Sequence, residues 1–146
     1  MADDALIVEM SPAPADVAAL SERLYEFNAA ALNCDDGRDF GVFVRGEDGD
    51  IRAGLYGWTW GGRLEIQYLW VHESLRRQGY GSRLIAEAER IGRERGCQQA
   101  TVETNSYQAS DFYPRHGFEV YAVLDGYPDG HQRVFLRKSL LDTSDA

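Results

Sequence analysis

The clearest hydrophobic pattern in the chain lies between residues 64 and 96, where an alternating stretch precedes a helical one. The alternation predicts a strand with one buried face, formed by Leu64, Ile66, Tyr68 and Trp70. Residues 69–71 are all apolar, which predicts burial on both faces near the end of this strand.

A helix is predicted downstream, because apolar residues recur there at helical spacing. Gly96 marks its expected end. The predicted buried face consists of Leu84, Ile85, Ala88 and Ile91, and the predicted solvated face of Arg83, Glu87, Glu89, Arg90, Arg93 and Glu94.

Shorter patterns predict the remaining elements. An apolar run at residues 5–10 predicts a first strand, and helical spacing follows it after a proline-rich break. Asp48-Gly49 predicts a hairpin between two strands at residues 40–45 and 51–60. Later strands are predicted at residues 100–103, 118–124 and 132–138, with a short helix within residues 105–116.

Three aromatic residues, Tyr56, Trp58 and Trp60, follow one another at a spacing of two and therefore share one face of a predicted strand. Such a stripe is typical of a hydrophobic core. Contact with a substrate is the alternative.

The turn between the strand and the helix, residues 76–82, reads Arg-Arg-Gln-Gly-Tyr-Gly-Ser. Its glycines let the backbone approach a ligand, and a helix start leaves N–H groups unpaired. A turn of this kind can begin a helix without binding anything, but two adjacent arginines favour a phosphate cradle. The phosphate loop of nucleotide hydrolases requires Gly-Lys-Ser/Thr, and the dinucleotide fingerprint requires a third glycine where this chain has Leu84.

Arg76-x-x-Gly79-x-Gly81 resembles the Gln/Arg-x-x-Gly-x-Gly/Ala signature of the GNAT superfamily, whose members transfer acetyl from acetyl-CoA to an amine. The segment from Ala109 to Phe118 is similar to the later Ala-x-x-x-Tyr-x-x-x-Gly-Phe motif of that superfamily. Together with the strands around these motifs, the resemblance covers most of the chain, from about Gly41 to Leu140. It implies an α/β fold with a twisted mixed sheet of about six to seven strands flanked by helices. The length of 146 residues and the lack of a linker predict a single domain over residues 1–146, and the last few residues are expected to be frayed.

The resemblance also implies where acetyl-CoA binds, namely between two parallel central strands that splay apart. Backbone N–H groups of the turn are expected to hold the pyrophosphate, with charge added by an arginine side chain. A bulge in the central strand would free backbone groups to pair with the pantetheine arm. The predicted cofactor-binding residues are Leu69, Trp70, Val71, Arg76, Arg77, Gln78, Gly79, Tyr80, Gly81, Ser82 and Asn105, the last displaced by one position from the asparagine of the superfamily.

Two residues match catalytic positions of the superfamily. Glu65 is the candidate base, because a lysine-like amine must lose a proton before it attacks, at a cost of about 4 to 5 kcal/mol at neutral pH. An exposed strand glutamate paired with Arg63, with ordered water as the proton acceptor, is the alternative. Tyr113 is the candidate acid for the departing thiolate, and a packing tyrosine is the alternative.

Charge and composition narrow the classes of partner. The net charge of −9 argues against a nucleic-acid surface. No apolar run reaches the roughly 20 residues of a membrane span, and the acidic start lacks the basic region of a signal peptide, so a cytoplasmic protein with no membrane partner is expected.

The cysteines and histidines have no metal-ligand spacing, so no metal is expected. Neither cysteine lies in a matched motif, which favours direct attack by the amine over an acyl-enzyme. The alternatives are a non-catalytic module that senses acetyl-CoA and a transferase of another acyl group. The acceptor class, a small-molecule or peptide amine, stays open, and the superfamily makes a homodimer possible.

Overall fold

The computed structural model describes residues 4–108 and 111–141, so Ala109 and Ser110 of the second motif and the tail at residues 142–146 lie outside the described residues. The chain divides into two compact units between Asp35 and Asp36. The prediction of one domain over residues 1–146 stays a prediction.

The first unit contains one helix, α1, at Pro14–Leu32. Pro14 suits the first turn, where an N–H would have no partner, and Asn33 ends the helix in the left-handed conformation with φ 49°. The predicted strand at residues 5–10 is wrong: these residues form no strand, since they lack the ladder partner that a strand requires.

The second unit is a six-stranded mixed sheet in the order β1-β2-β3-β4-β6-β5. Only β3 and β4 run parallel, because α2 connects them as a crossover, and the other neighbouring pairs are antiparallel. The elements are β1 (Arg38–Arg45), β2 (Ile51–Trp60), β3 (Arg63–Val71), α2 (Tyr80–Glu94), β4 (Gln99–Asn105), α3 (Phe112–Arg115), β5 (Glu119–Leu124) and β6 (Arg133–Ser139), with single 3₁₀ turns at Glu73–Leu75 and Pro128–Gly130.

The core lies on the face of the sheet that α2 covers. On β2 this buried face carries Ala53, Leu55, Gly57 and Thr59, so the aromatic stripe lies on the opposite face. Its prediction as core is therefore wrong. The core also includes Leu140, which follows the last strand. The buried side chains contributed by α2 and the central strands are Leu84, Ile85, Ala88, Leu64, Ile66, Ala100 and Val102.

A bulge divides β3 into two halves. Tyr56 of β2 pairs with Tyr68, whereas the next residue, Gly57, pairs with Ile66, so Gln67 is an extra residue. The first half follows the predicted alternation, with Ile66 1% exposed. Beyond the bulge the faces exchange, so that Tyr68 is 66% and Trp70 48% exposed. The predicted burial of these two side chains is wrong for this reason.

The parallel strands separate after a short paired region. β3 and β4 are in register only from Arg63↔Gln99 to Ile66↔Val102. Beyond that point β3 continues to pair with β2, and β4 with β6. A wedge therefore opens between the carboxyl ends of the two central strands, as the resemblance implied.

Helix α2 ends as expected, with Gly96 at φ 81°. One residue of its predicted solvated face is buried. The side chain of Glu89 is 8% exposed, and its Oε1 lies 2.8 Å from Lys138 Nζ of β6. The ion pair explains how a charged residue lies within the packed face of the helix.

Candidate active site

The turn between β3 and α2 presents a row of unpaired backbone donors. Gly79, with φ 83°, is the N-cap of α2, and Arg77 also has a positive φ of 63°. The N–H groups from Arg77 to Ser82 donate to no other residue in the described part of the chain. Unpaired donors beside a helix start attract anions, so these residues fit a pyrophosphate group.

Side chains within the turn hold it in place. Arg76 Nε donates to the Val71 carbonyl oxygen at 3.1 Å, and Gln78 Nε2 donates to the Ser74 carbonyl oxygen at 2.9 Å. Arg77 is exposed and has no polar partner among the described residues. Of the two predicted arginines, Arg76 anchors the turn to the strand, and Arg77 is the cation available to a ligand.

Leu69, Trp70 and Val71 lie at the end of β3, on the open side of the wedge. They pair with β2, and no ladder joins them to β4. Leu69 and Val71 pack against the core, while Trp70 is half exposed. The backbone edge that faces the wedge is therefore free of sheet pairing, as an added extended chain would need.

Glu65 lies on the face opposite the core, two residues before the bulge. The Thr101 hydroxyl donates a short hydrogen bond to Glu65 Oε2, and Arg63 lies 3.8 Å from the same oxygen. Burial raises the pKa of the Glu65 carboxyl, and the Thr101 bond and Arg63 oppose that rise. A carboxylate with a raised pKa is a better proton acceptor.

Tyr113 is 7% exposed on the short helix α3. Its ring packs at right angles to Phe112 and Phe118, with centroid distances of 5.1 and 5.6 Å. Burial raises the pKa of the phenol to about 12. The phenol is therefore protonated at neutral pH. Its hydroxyl has no hydrogen-bond partner among the described residues, so it is available as a donor.

Sequence reasoning missed the contacts that join α3 to the start of α2. A Cβ atom at Gly81 would lie 2.9 Å from the Phe112 ring, so this glycine permits the close approach of the two helices. His116 Nε2 lies 2.8 Å from Ser82 Oγ. The sequence shows a histidine four residues after Phe112, which could have indicated a contact of α3. It does not show that the partner is Ser82, which is 34 residues away along the chain.

Asn105 lies at the end of β4, where its side chain already has partners. Its Nδ2 donates to Tyr107 Oη at 3.0 Å, and its Oδ1 accepts from Arg133 at 3.2 Å. Contact between Asn105 and pantetheine stays a prediction.

The site combines a wedge between β3 and β4, a donor-rich turn at the start of α2 and the short helix α3, which packs against that start. The sequence model of the acetyltransferase (GNAT) family matches residues 7–118. The chain belongs to the GNAT family. Acetyltransferase Atu2258 of Agrobacterium fabrum is 34% identical over 120 residues, which cover 82% of this chain and 88% of that protein.

Two further comparisons support the assignment. Blasticidin-S acetyltransferase of Streptomyces morookaense is 40% identical over 105 residues, covering 69% of this chain and 75% of that protein. A solved structure from Agrobacterium tumefaciens superposes with a TM-score of 0.82 at 30% identity, covering 93% of this chain and 99% of that chain. The predicted GNAT fold is confirmed.

No helix at residues 4–108 or 111–141 is long and apolar enough to cross a membrane. The same residues contain no group of three or more histidine, cysteine or acidic side chains arranged to hold a metal ion.

Proposed function

We propose that this GNAT protein transfers acetyl from acetyl-CoA to a primary amine by direct attack. The observation that carries the proposal is the wedge between β3 and β4, which opens beside the donor-rich turn. An acyl-CoA needs both features, since its phosphates require donors and its extended arm requires a free strand edge. A thioester bound there supplies an acyl group that an amine can take.

The cofactor-holding roles follow from the contacts of the turn. The N–H groups of residues 78–82 bind the pyrophosphate, and Arg77 adds a positive charge. Arg76 keeps the turn against the end of β3 through its bond to Val71. The backbone of residues 69–71 pairs with the pantetheine arm along the edge that β4 leaves open.

Glu65 acts on the attacking amine, and Tyr113 acts on the departing thiolate. Glu65 removes a proton from the acceptor ammonium, a role supported by the raised pKa of its carboxyl group. Tyr113 donates a hydrogen bond to the departing thiolate, and its pKa of about 12 keeps the donor proton in place at neutral pH.

Direct attack is supported by the environment of the cysteine in the second unit. Cys97 is 6% exposed in the core, and burial raises the pKa of its thiol. A buried thiol of raised pKa is a poor nucleophile. Its place in the core therefore favours a ternary complex of protein, acetyl-CoA and amine.

The similarity to blasticidin-S acetyltransferase makes a small-molecule amine the first acceptor class to test. The experiment is a thiol-release assay with acetyl-CoA and a panel of primary amines, run on the wild type and on Tyr113→Phe. We expect release with at least one amine and a loss of roughly a hundred- to ten-thousandfold in kcat for the variant, at unchanged acetyl-CoA affinity.

The controls separate the proposal from its alternatives. A protein that binds acetyl-CoA but releases no thiol with any amine, and for which Tyr113→Phe changes nothing, is a sensor. Faster release from a longer acyl-CoA than from acetyl-CoA would identify a different donor.

A further inference from the structure

The carboxylate of Glu65 is held asymmetrically. The Thr101 hydroxyl donates to Oε2, and the Arg63 guanidinium lies 3.8 Å from that same oxygen. Over residues 4–108 and 111–141, no hydrogen bond involves Oε1. The side chain is 20% exposed. One oxygen is therefore anchored, and the other is available.

The anchor belongs to the sheet itself. Glu65 and Thr101 are directly opposed in the parallel ladder of β3 and β4, one pair before the last pair of that ladder. Opposed residues of neighbouring strands lie on the same face. Because threonine is branched at Cβ, few rotamers compete with the one that donates to Glu65. The hydroxyl is thus fixed at the mouth of the wedge.

We propose that Thr101 is a positioning residue for Glu65, holding Oε2 so that Oε1 is the atom that accepts the proton of the acceptor ammonium. The inference rests on the proposed function. In this step an N–H bond of the ammonium breaks and an O–H bond forms at Oε1. The nitrogen keeps the electron pair, which attacks the thioester carbonyl, while Oε2 accepts from Thr101 before and after the transfer.

Few charged groups face Glu65 from the neighbouring strands. The charged groups are Arg63 on β3 itself and Glu103 on β4, and Glu103 raises the pKa of Glu65. The opposed residue of β2 is the uncharged Trp58. Arg137 of β6 is opposed to Thr101 and is paired with Glu119 of β5 at 3.1 Å. The Thr101 hydroxyl is therefore the closest of the groups that favour the ionised carboxylate.

The experiment compares Thr101→Val, which removes the hydroxyl at nearly constant size, with Thr101→Ser, which keeps it. Two readouts are used: NMR titration of the Glu65 carboxyl carbon without substrates, and the pH dependence of kcat/KM. In Thr101→Val, the titration midpoint of the Glu65 carboxyl and the acid limb of the kcat/KM profile should both move to higher pH by about one unit, because a hydrogen bond to the charged form is lost. Thr101→Ser should stay near the wild type, and KM for acetyl-CoA should be unchanged in both.

The proposal is overturned if Thr101→Val leaves the Glu65 titration and the acid limb where they are, with Thr101→Ala as a second variant should the valine protein not fold. Glu65→Gln distinguishes a failure of the base role of Glu65 from a failure of the positioning role of Thr101. Full activity in Glu65→Gln would contradict the base role, whereas the carboxyl titration of the proteins that keep Glu65 would still report on the hydrogen bond from Thr101. In the Glu65→Gln background, Thr101→Val should not shift the acid limb further, and a further shift would contradict the inference.

Discussion

His116 Nε2 lies 2.8 Å from Ser82 Oγ and joins the first turn of α2 to α3, the helix that carries Tyr113. The other ring nitrogen of His116, Nδ1, lies 2.8 Å from the Phe112 carbonyl oxygen. A carbonyl can only accept, so Nδ1 carries the hydrogen, and the Nε2 of a neutral ring accepts from the Ser82 hydroxyl. The proposed phosphate site and the proposed acid are thus connected through one side chain.

This contact predicts coupling between the two residues. Ser82→Ala and His116→Ala should each lower the free energy of unfolding, and the double variant should lose less than their sum, with a coupling of about 1 kcal/mol. Denaturant unfolding of the four proteins measures it. Strict additivity would mean that the hydrogen bond contributes nothing in solution.

Tyr113 predicts a loss of stability at high pH. Burial raises the pKa of the folded-state phenol to about 12 from an ordinary value of 10, so above pH 10 the unfolded chain ionises first. The contribution is fully present below pH 10 and falls by about 2 to 3 kcal/mol as pH rises from 10 to 12. Tyr113→Phe lacks this phenol, so the difference in unfolding free energy between wild type and variant should change by that amount.

Replacing Gly79 should weaken both stability and ligand binding, whereas replacing a similar glycine away from the site should weaken stability alone. Gly79 and Gly61 both have positive φ, 83° and 60°, with no atom within 4 Å of an added Cβ. Alanine should destabilise either site by about 1 to 2 kcal/mol, because only glycine adopts this conformation without a steric penalty. Gly61 lies in the β2–β3 turn and is the matched control. Only Gly79→Ala should weaken the rise in melting temperature produced by acetyl-CoA.

The buried ion pair predicts a large stability effect away from the site. Lys138→Met leaves the Glu89 carboxylate, whose side chain is 8% exposed, with Arg93 at 3.5 Å as its remaining cation. We expect a loss of about 3 kcal/mol in thermal or denaturant unfolding. Arg90→Met, which breaks only the exposed pairs of α2, is the control and should cost much less. Equal losses of unfolding free energy in Lys138→Met and Arg90→Met would contradict the burial of the ion pair between Glu89 and Lys138.

Much of the fold follows from local pattern. Helix α2 and the β1–β2 hairpin were predicted, because hydrophobic period, Asp48-Gly49 and Gly96 are local signals. The position of the donor-rich turn follows for the same reason, since its glycines and arginines occupy seven consecutive residues, and phosphate binding there stays a prediction.

The rest depends on partners that are distant in sequence. The extra residue Gln67 is recognised only in register with β2, and it reverses the faces of Tyr68 and Trp70. Burial of Glu89 depends on Lys138, which is 49 residues away. The Thr101 bond to Glu65 requires the parallel register of two strands separated by a helix. These are tertiary relationships, which local periodicity does not encode.

Calorimetric titration with acetyl-CoA tests the central claim most directly, using the wild type beside a variant that combines Arg77→Gln and Gly79→Ala. We predict binding in the micromolar range or tighter for the wild type and at least tenfold weaker for the variant, because the variant loses a cation and the backbone shape of the turn. No binding heat from the wild type, together with no thermal stabilisation by acetyl-CoA, CoA or a longer acyl-CoA, would contradict the account.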